Sequence, residues 1–199
     1  GGAEVLVYGL RDALVARGHQ ADVVSLPLSW YPAERVLRSV LAWRLLYVEE
    51  ANGRPVDLVI CTKFPTWAVK HPRKVLWLVH QLRQAYDLYG TPVSDFGPDP
   101  EDQALRDAVV QVDNHGIGEC ERRFAISKNV ADRLKRFNGL DADVLYPPVE
   151  DRELWPESYE PFVLSAARLD DLKRIEALIR AWPRVSEPLR LVVASDGPL

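Results

Sequence analysis

The chain has 199 residues, 47% hydrophobic and 27% charged, with a formal net charge of −4. This is an ordinary globular composition, long enough for one domain and part of another. It gives no basic footprint for nucleic acid, no apolar run of about 18 residues for a membrane span and no visible secretory leader.

Gly1 and Gly2 open the chain directly before apolar positions at Val5, Tyr8, Leu10, Ala13 and Leu14. That spacing predicts a helix over 3–18, ending at Gly18. Glycines ahead of a helix let the backbone approach phosphate oxygens, and a flexible terminal end is the competing explanation. Such a loop normally follows a strand, and the chain contains no methionine. A start upstream of residue 1 is therefore expected. QADVVSL at 20–26 predicts a strand. Residues 33–51 predict a helix closed by Asn52-Gly53. Within it Arg35, Arg38 and Arg44 accompany Trp43 and many leucines. This pattern suits either a core helix with an arginine edge or a basic amphipathic helix on an anionic membrane surface.

VDLVICT at 56–62 and KVLWLVH at 74–80 are apolar runs of the kind found in buried parallel strands. His80 ends the second run, and ligands of open α/β sheets bind beyond the carboxyl ends of strands. Backbone capping is the plain alternative for His80. Gln81, Arg83 and Tyr86 follow, as an acceptor-side polar surface or as a solvated loop. Acids and a proline at 98–114 predict a helix start. RFAIS at 123–127 predicts a strand, KNVADRLKRFNGL a helix ending at Asn138-Gly139, and ADVLYPPV at 142–149 a strand stopped by prolines. The stretch 147–161 holds four prolines and many acids, the composition of a hinge. PFVLSAARL, a helix near 173–182 and LRLVVAS complete a βαβ pattern. Alternating strands and helices predict a doubly wound parallel sheet. Cys61 and Cys120 belong to no CxxC or Cys/His group, which argues against structural zinc. Two free thiols fit a reducing compartment.

Arg168 and Lys173 stand five positions apart between a strand and a helix. There they form either a phosphate grip of two cations and a helix N-terminus or an ordinary surface loop. Taken in order, Gly1-Gly2-Ala3-Glu4, Leu78-Val79-His80, FAISKNVADRLKRF, VLYPPVE, Ala167-Arg168-Leu169 with Lys173, and LVVASDGPL form a series. This series resembles the family 4 glycosyltransferases, which have the GT-B fold and use nucleotide-sugar donors. Two positions depart from the family pattern. Ala167 replaces the common glycine before Arg168, and Ser195-Asp196-Gly197 replaces Gly-Asp-Gly.

The resemblance implies an N-terminal acceptor-side Rossmann-like domain over 1–149. Residues 150–199 would supply the hinge and the first βαβ unit of an incomplete donor-binding domain. It implies a retaining hexosyltransferase that moves a sugar from a UDP- or GDP-linked donor to a glycan, lipid-linked or small-molecule acceptor, in polysaccharide or glycolipid synthesis. His80 would orient substrate, with Arg168 and Lys173 stabilising the leaving nucleoside diphosphate. Gly1, Gly2, Arg168, Lys173 and Gly197 would contact the donor phosphates, and closure about 147–161 would exclude water. No cofactor, catalytic metal or nucleic-acid partner is implied. The expected location is cytoplasmic, with peripheral contact at the inner face of the membrane through 34–50. Family members continue past the position of Leu199 into a paired-glutamate motif, so this stretch alone is expected to be inactive. A non-catalytic nucleotide- or sugar-binding module, and a GT-B-fold epimerase or phosphorylase, are the alternatives.

Overall fold

The computed structural model describes residues 2–29, 32, 34–149 and 158–198. The chain divides into two units, Gly1–Val149 and Glu150–Leu199. The first begins with α1 (Gly2–Val15) and α2 (Glu34–Leu45), then a small hairpin of β1 (Glu50–Ala51) and β2 (Arg54–Pro55). There follow β3 (Val59–Lys63), β4 (Lys74–His80), α3 (Pro100–Gly118), β5 (Arg122–Ala125), α4 (Lys128–Asn138) and β6 (Asp143–Val144). Strands β3, β4, β5 and β6 lie side by side in that order, each pair parallel. The unit is thus mixed α/β on a four-stranded parallel sheet, compatible with a Rossmann-like fold. Right-handed crossovers stepping in one direction put α3 and α4 on the same face, where they touch. The order reversal that makes a sheet doubly wound does not occur among the described strands.

Local chemistry explains the elements. All of β4 is buried except the half-buried Val75 and His80, so a strand covered on both faces carries an unbroken apolar run. The Asp99 side chain caps α3 by accepting from Glu101 N and Asp102 N, and Pro100 takes the first helical position. Ser127 caps α4 by accepting from Val130 N, and Gly139 ends it at φ 68°.

Three expectations are corrected. Residues 20–26 form no strand. Leu26 and Leu28 instead pack against the core without a ladder partner. The helix expected over 33–51 stops at Leu45, and Asn52-Gly53 is a hairpin turn rather than a helix stop. Both of its residues have positive φ, 53° and 74°, as a two-residue turn between β1 and β2 requires. The strand expected over 142–149 pairs only at Asp143–Val144, because Pro147 and Pro148 have no N–H for a ladder.

The core gathers on Trp67, in the turn after β3. Its indole donates to Asp113 Oδ1 at 2.9 Å, and Tyr86 donates to Asp113 Oδ2 at 2.7 Å. Burial pushes the Asp113 carboxyl up to about 7, with the two hydrogen bonds pulling the other way. Lys74 is also fully buried. Its ammonium donates to Trp67 O, Val69 O and Glu119 Oε2 at 2.7, 3.0 and 2.7 Å. Cys61 and Cys120 are free and buried, and burial pushes their thiols up to about 12 and about 11.

The second unit contains β7 (Phe162–Ser165), α5 (Ile175–Ala181) and β8 (Arg190–Val193), with β7 and β8 parallel. The helix expected near 173–182 is broken at its start. A 3-10 turn covers Asp171–Lys173, and Arg174 sits at φ 55° before α5 begins. Ile175 is buried, while Phe162, Leu164 and Ile179 are exposed. Residues 150–157 of the expected hinge lie outside the described residues.

Two outcomes follow from this packing. A Cβ on Gly116 would stand 2.7 Å from Trp67 O and 2.9 Å from Trp67 Cδ1, whereas one on Gly118 would meet nothing. Gly116→Ala is therefore expected to destabilise by about 1–3 kcal/mol through overpacking, and Gly118→Ala is not, as urea unfolding would measure. For Asp113 the folded-state value lies above the ordinary 3.8, so the folded protein holds that proton more tightly than the unfolded chain. Its contribution is complete in acid, below the unfolded value, and is lost as pH rises through about 7. Stability of Asp113→Asn should lack that decline, and parallel melts from acid to neutral pH would check it.

Candidate functional site

Parallel strands bring their carboxyl ends to one edge of the sheet, where chain turns leave room for a ligand. In the first unit β3 and β4 end there with Lys63 and His80. The register runs Cys61 opposite Leu76, then shifts so that Lys63 stands opposite His80. An irregularity of this kind re-aims a side chain. It makes Lys63 a neighbour of His80, a residue that the sequence reading did not single out. Thr66 holds the distorted turn, accepting from Thr62 N and donating to Lys63 O at 2.6 Å.

His80 is half-buried, with Nδ1 2.7 Å from Gln81 O. A carbonyl only accepts, so Nδ1 carries the proton and Nε2 is an acceptor with no partner among the described residues. Burial lowers the imidazole below its ordinary value against the pull of that hydrogen bond, and the charges of Lys63, Arg133 and Arg83 lower it further. At neutral pH the ring is a fixed, uncharged acceptor. That chemistry suits orienting a hydroxyl better than holding a cationic proton.

Gln81 is neither a surface residue nor part of a solvated loop. It is fully buried, donates to Asn138 Oδ1 at 3.0 Å and accepts from Arg133 Nε at 3.2 Å. Tyr86 is likewise buried, accepting from Asn138 Nδ2 and donating to Asp113. Arg83 is the exposed member of the three, bound through two nitrogens to Asp87. Burial pushes the Asp87 carboxyl up, but the hydrogen bonds of Arg83 and the charges of Arg133 and Arg83 outweigh it and leave it below the ordinary value.

Gly1 lies outside the described residues. Gly2 is the first residue of α1, and a Cβ there would meet nothing, so packing gives no reason for glycine. Two residues on, Glu4 pairs with Lys63 at 3.4 Å, which ties the first turn of α1 to the end of β3.

In the second unit Arg168, Lys173 and Gly197 come together. The loops leaving β7 and β8 meet where Leu169 N donates to Asp196 O at 3.0 Å. A Cβ on Gly197 would collide with the Leu169 backbone, so this glycine has a packing reason of its own. Arg168 donates through Nε and Nη2 to Asp170 Oδ2 at 2.8 and 2.7 Å. Those bonds, first among its influences, hold the Asp170 carboxyl below its ordinary value. Asp170 also caps the turn by accepting from Lys173 N. The ammonium of Lys173 has no acceptor among the described residues.

Helix α2 turns Val36, Val40 and Trp43 into the core, and Arg44 binds Glu119 and Ala68 O. Arg35, Arg38, Leu41 and Leu45 are exposed on it. An open depression of about 580 Å³, lined by Arg44, Glu49, Lys70, His71, Pro72 and Glu119, adjoins the Lys74 end of β4, away from His80. Among the described residues no helix is long and apolar enough to cross a membrane. None of their His, Cys, Asp and Glu side chains form a group of three that could hold a metal ion. Scans of protein-family models and of curated proteins give no match to this chain.

Proposed function

We propose that the chain belongs to a retaining glycosyltransferase of the family 4 type, with the GT-B fold, acting on a UDP- or GDP-linked sugar. The observation that carries this reading is His80, a neutral hydrogen-bond acceptor at the carboxyl end of a buried parallel strand beside Lys63. The meeting of Arg168, Lys173 and Gly197 beyond β7 and β8 supports it from the second unit.

On this reading the first unit receives the acceptor and His80 Nε2 orients a substrate hydroxyl. In the second unit Lys173 and Arg168 face the donor diphosphate and stabilise the charge that grows on it as the bond to the anomeric carbon breaks. The acceptor oxygen forms its bond to that carbon on the departing face, and its proton passes to a donor phosphate oxygen. Cytoplasmic location belongs to the same proposal, as does peripheral membrane contact through 34–50, supported by exposed Leu41 and Leu45 beside Arg35 and Arg38. A non-catalytic binding module is the second reading. It is favoured by the engagement of Arg168 with Asp170, which partly neutralises one of the two cations.

Melting curves of the full-length protein with UDP, GDP and ADP test the donor site, since a ligand that binds only the folded state raises Tm. A rise with one nucleotide is expected, and no rise with any of them would contradict the reading. Arg168→Ala or Lys173→Ala should lower turnover by about 10²–10³-fold, the scale of losing one preorganised charge-stabilising donor. Binding without turnover in the unaltered protein would select the module.

A further inference from the structure

The shelf around His80 is more cationic than orientation of a hydroxyl requires. Lys63 stands opposite His80 in the sheet register, so their backbones are one strand spacing apart. Arg133 reaches the adjoining residue, with Nε on Gln81 Oε1 at 3.2 Å. Its Nη1 makes only a 3.4 Å contact with Asp87, and Nη2 has no acceptor among the described residues. With Arg83 these make three cations against two carboxylates, Glu4 and Asp87, and the Lys63–Glu4 pair is long at 3.4 Å. The Arg133 side chain is only 11% exposed, so its charge is screened less than that of a surface arginine. No buried side-chain nitrogen among the described residues lacks a partner, so Nη2 reaches solvent, where a phosphoryl oxyanion can take a charge-assisted bond from it.

We propose that this edge binds a hydroxyl compound bearing a phosphoryl oxyanion, with Lys63 and Arg133 taking the charge and His80 Nε2 accepting from the hydroxyl. The acceptor in the proposed transfer is then a phosphorylated polyol or sugar, or a lipid headgroup of the same chemistry. The inference rests on the reading of the His80 edge as the acceptor side. A hydroxyl donates to a neutral imidazole, and a phosphoryl group draws charge-assisted hydrogen bonds from ammonium and guanidinium. Neighbouring groups of these two kinds therefore select a ligand that carries both functions.

The test is a titration of the full-length, ¹⁵N-histidine-labelled protein, observing the His80 imidazole, with His80→Asn to assign its signal. Glycerol 3-phosphate, inorganic phosphate and glycerol are compared at constant ionic strength set with chloride. Glycerol 3-phosphate is expected to bind saturably, shift the Nε2 signal and raise the imidazole pKa. Lys63→Ala should weaken it about tenfold, the loss of one charge-assisted bond. Lys135→Ala, an exposed cation on the same helix as Arg133 and paired with Asp141, should leave it unchanged. Sedimentation with phosphatidylglycerol against phosphatidylcholine vesicles identifies a lipid-borne source if Lys63-dependent binding appears there. Glycerol binding as well as glycerol 3-phosphate, or Lys63→Ala binding like the unaltered protein to both sources, would overturn the proposal. Sugar transfer that proceeds with no phosphoryl effect at His80 would remove this inference and leave the transferase reading standing. Phosphoryl binding with no nucleotide effect would do the reverse.

Discussion

One carboxyl group organises the first unit. Asp113, on α3, receives the indole of Trp67 from the segment after β3 and the phenol of Tyr86 from the segment after β4. Both donors lie in chain that has just left the carboxyl edge of the sheet, so a single buried acceptor fixes both departures. A carboxylate deprived of water is tolerable only when its lone pairs are used, and here burial holds the group near the point of protonation as well. Gly116, one turn along α3, lets the helix close on Trp67, and Lys74 then takes the Trp67 and Val69 carbonyls. Removing the carboxyl would orphan two aromatic donors at once and loosen the turns that carry Lys63 and Gln81.

The electrostatics of the edge descend from that scaffold. Tyr86 passes the constraint to Asn138, Asn138 to Gln81, and Gln81 to Arg133. Gln81 O in turn fixes the tautomer of His80. An imidazole held neutral between Lys63 and Arg133 differs from a typical general base, which is kept near its working pH by a carboxylate partner. The second unit is built on a different balance, since Asp170 draws Arg168 to itself, while the Lys173 ammonium has no acceptor among the described residues. On the proposed reading a ligand diphosphate there would compete with a carboxylate for the guanidinium, and more of the charge stabilisation would fall to Lys173.

How much of this was legible in the sequence depended on the range of the forces involved. β4 was readable because a strand buried on both faces carries a continuous apolar run, here from Val75 to Val79 between Lys74 and His80. The end of α4 was readable because Gly139 stops it by local geometry alone. QADVVSL misled because β-type composition does not supply a partner strand, and Asn52-Gly53 misled because the same dipeptide ends helices and turns hairpins. Of the candidate site, His80, Arg168 and Lys173 were singled out by their positions at or just past the ends of strands, which are local facts. Lys63 depended on a register shift, and Asp113, Gln81 and Arg133 act through partners 27 to 57 residues away. Those separations leave no trace in spacing, and Lys74 reads as a surface lysine until three acceptors converge on it.

The most direct test of the central claim is the chemistry itself. The full-length protein would be incubated with UDP- and GDP-linked hexoses and candidate acceptors, and the anomeric proton of the transferred sugar followed by NMR. Release of one nucleoside diphosphate and a product with the anomeric configuration of the donor are expected. A folded protein that binds a nucleotide but releases no sugar, or a product of inverted configuration, would contradict it.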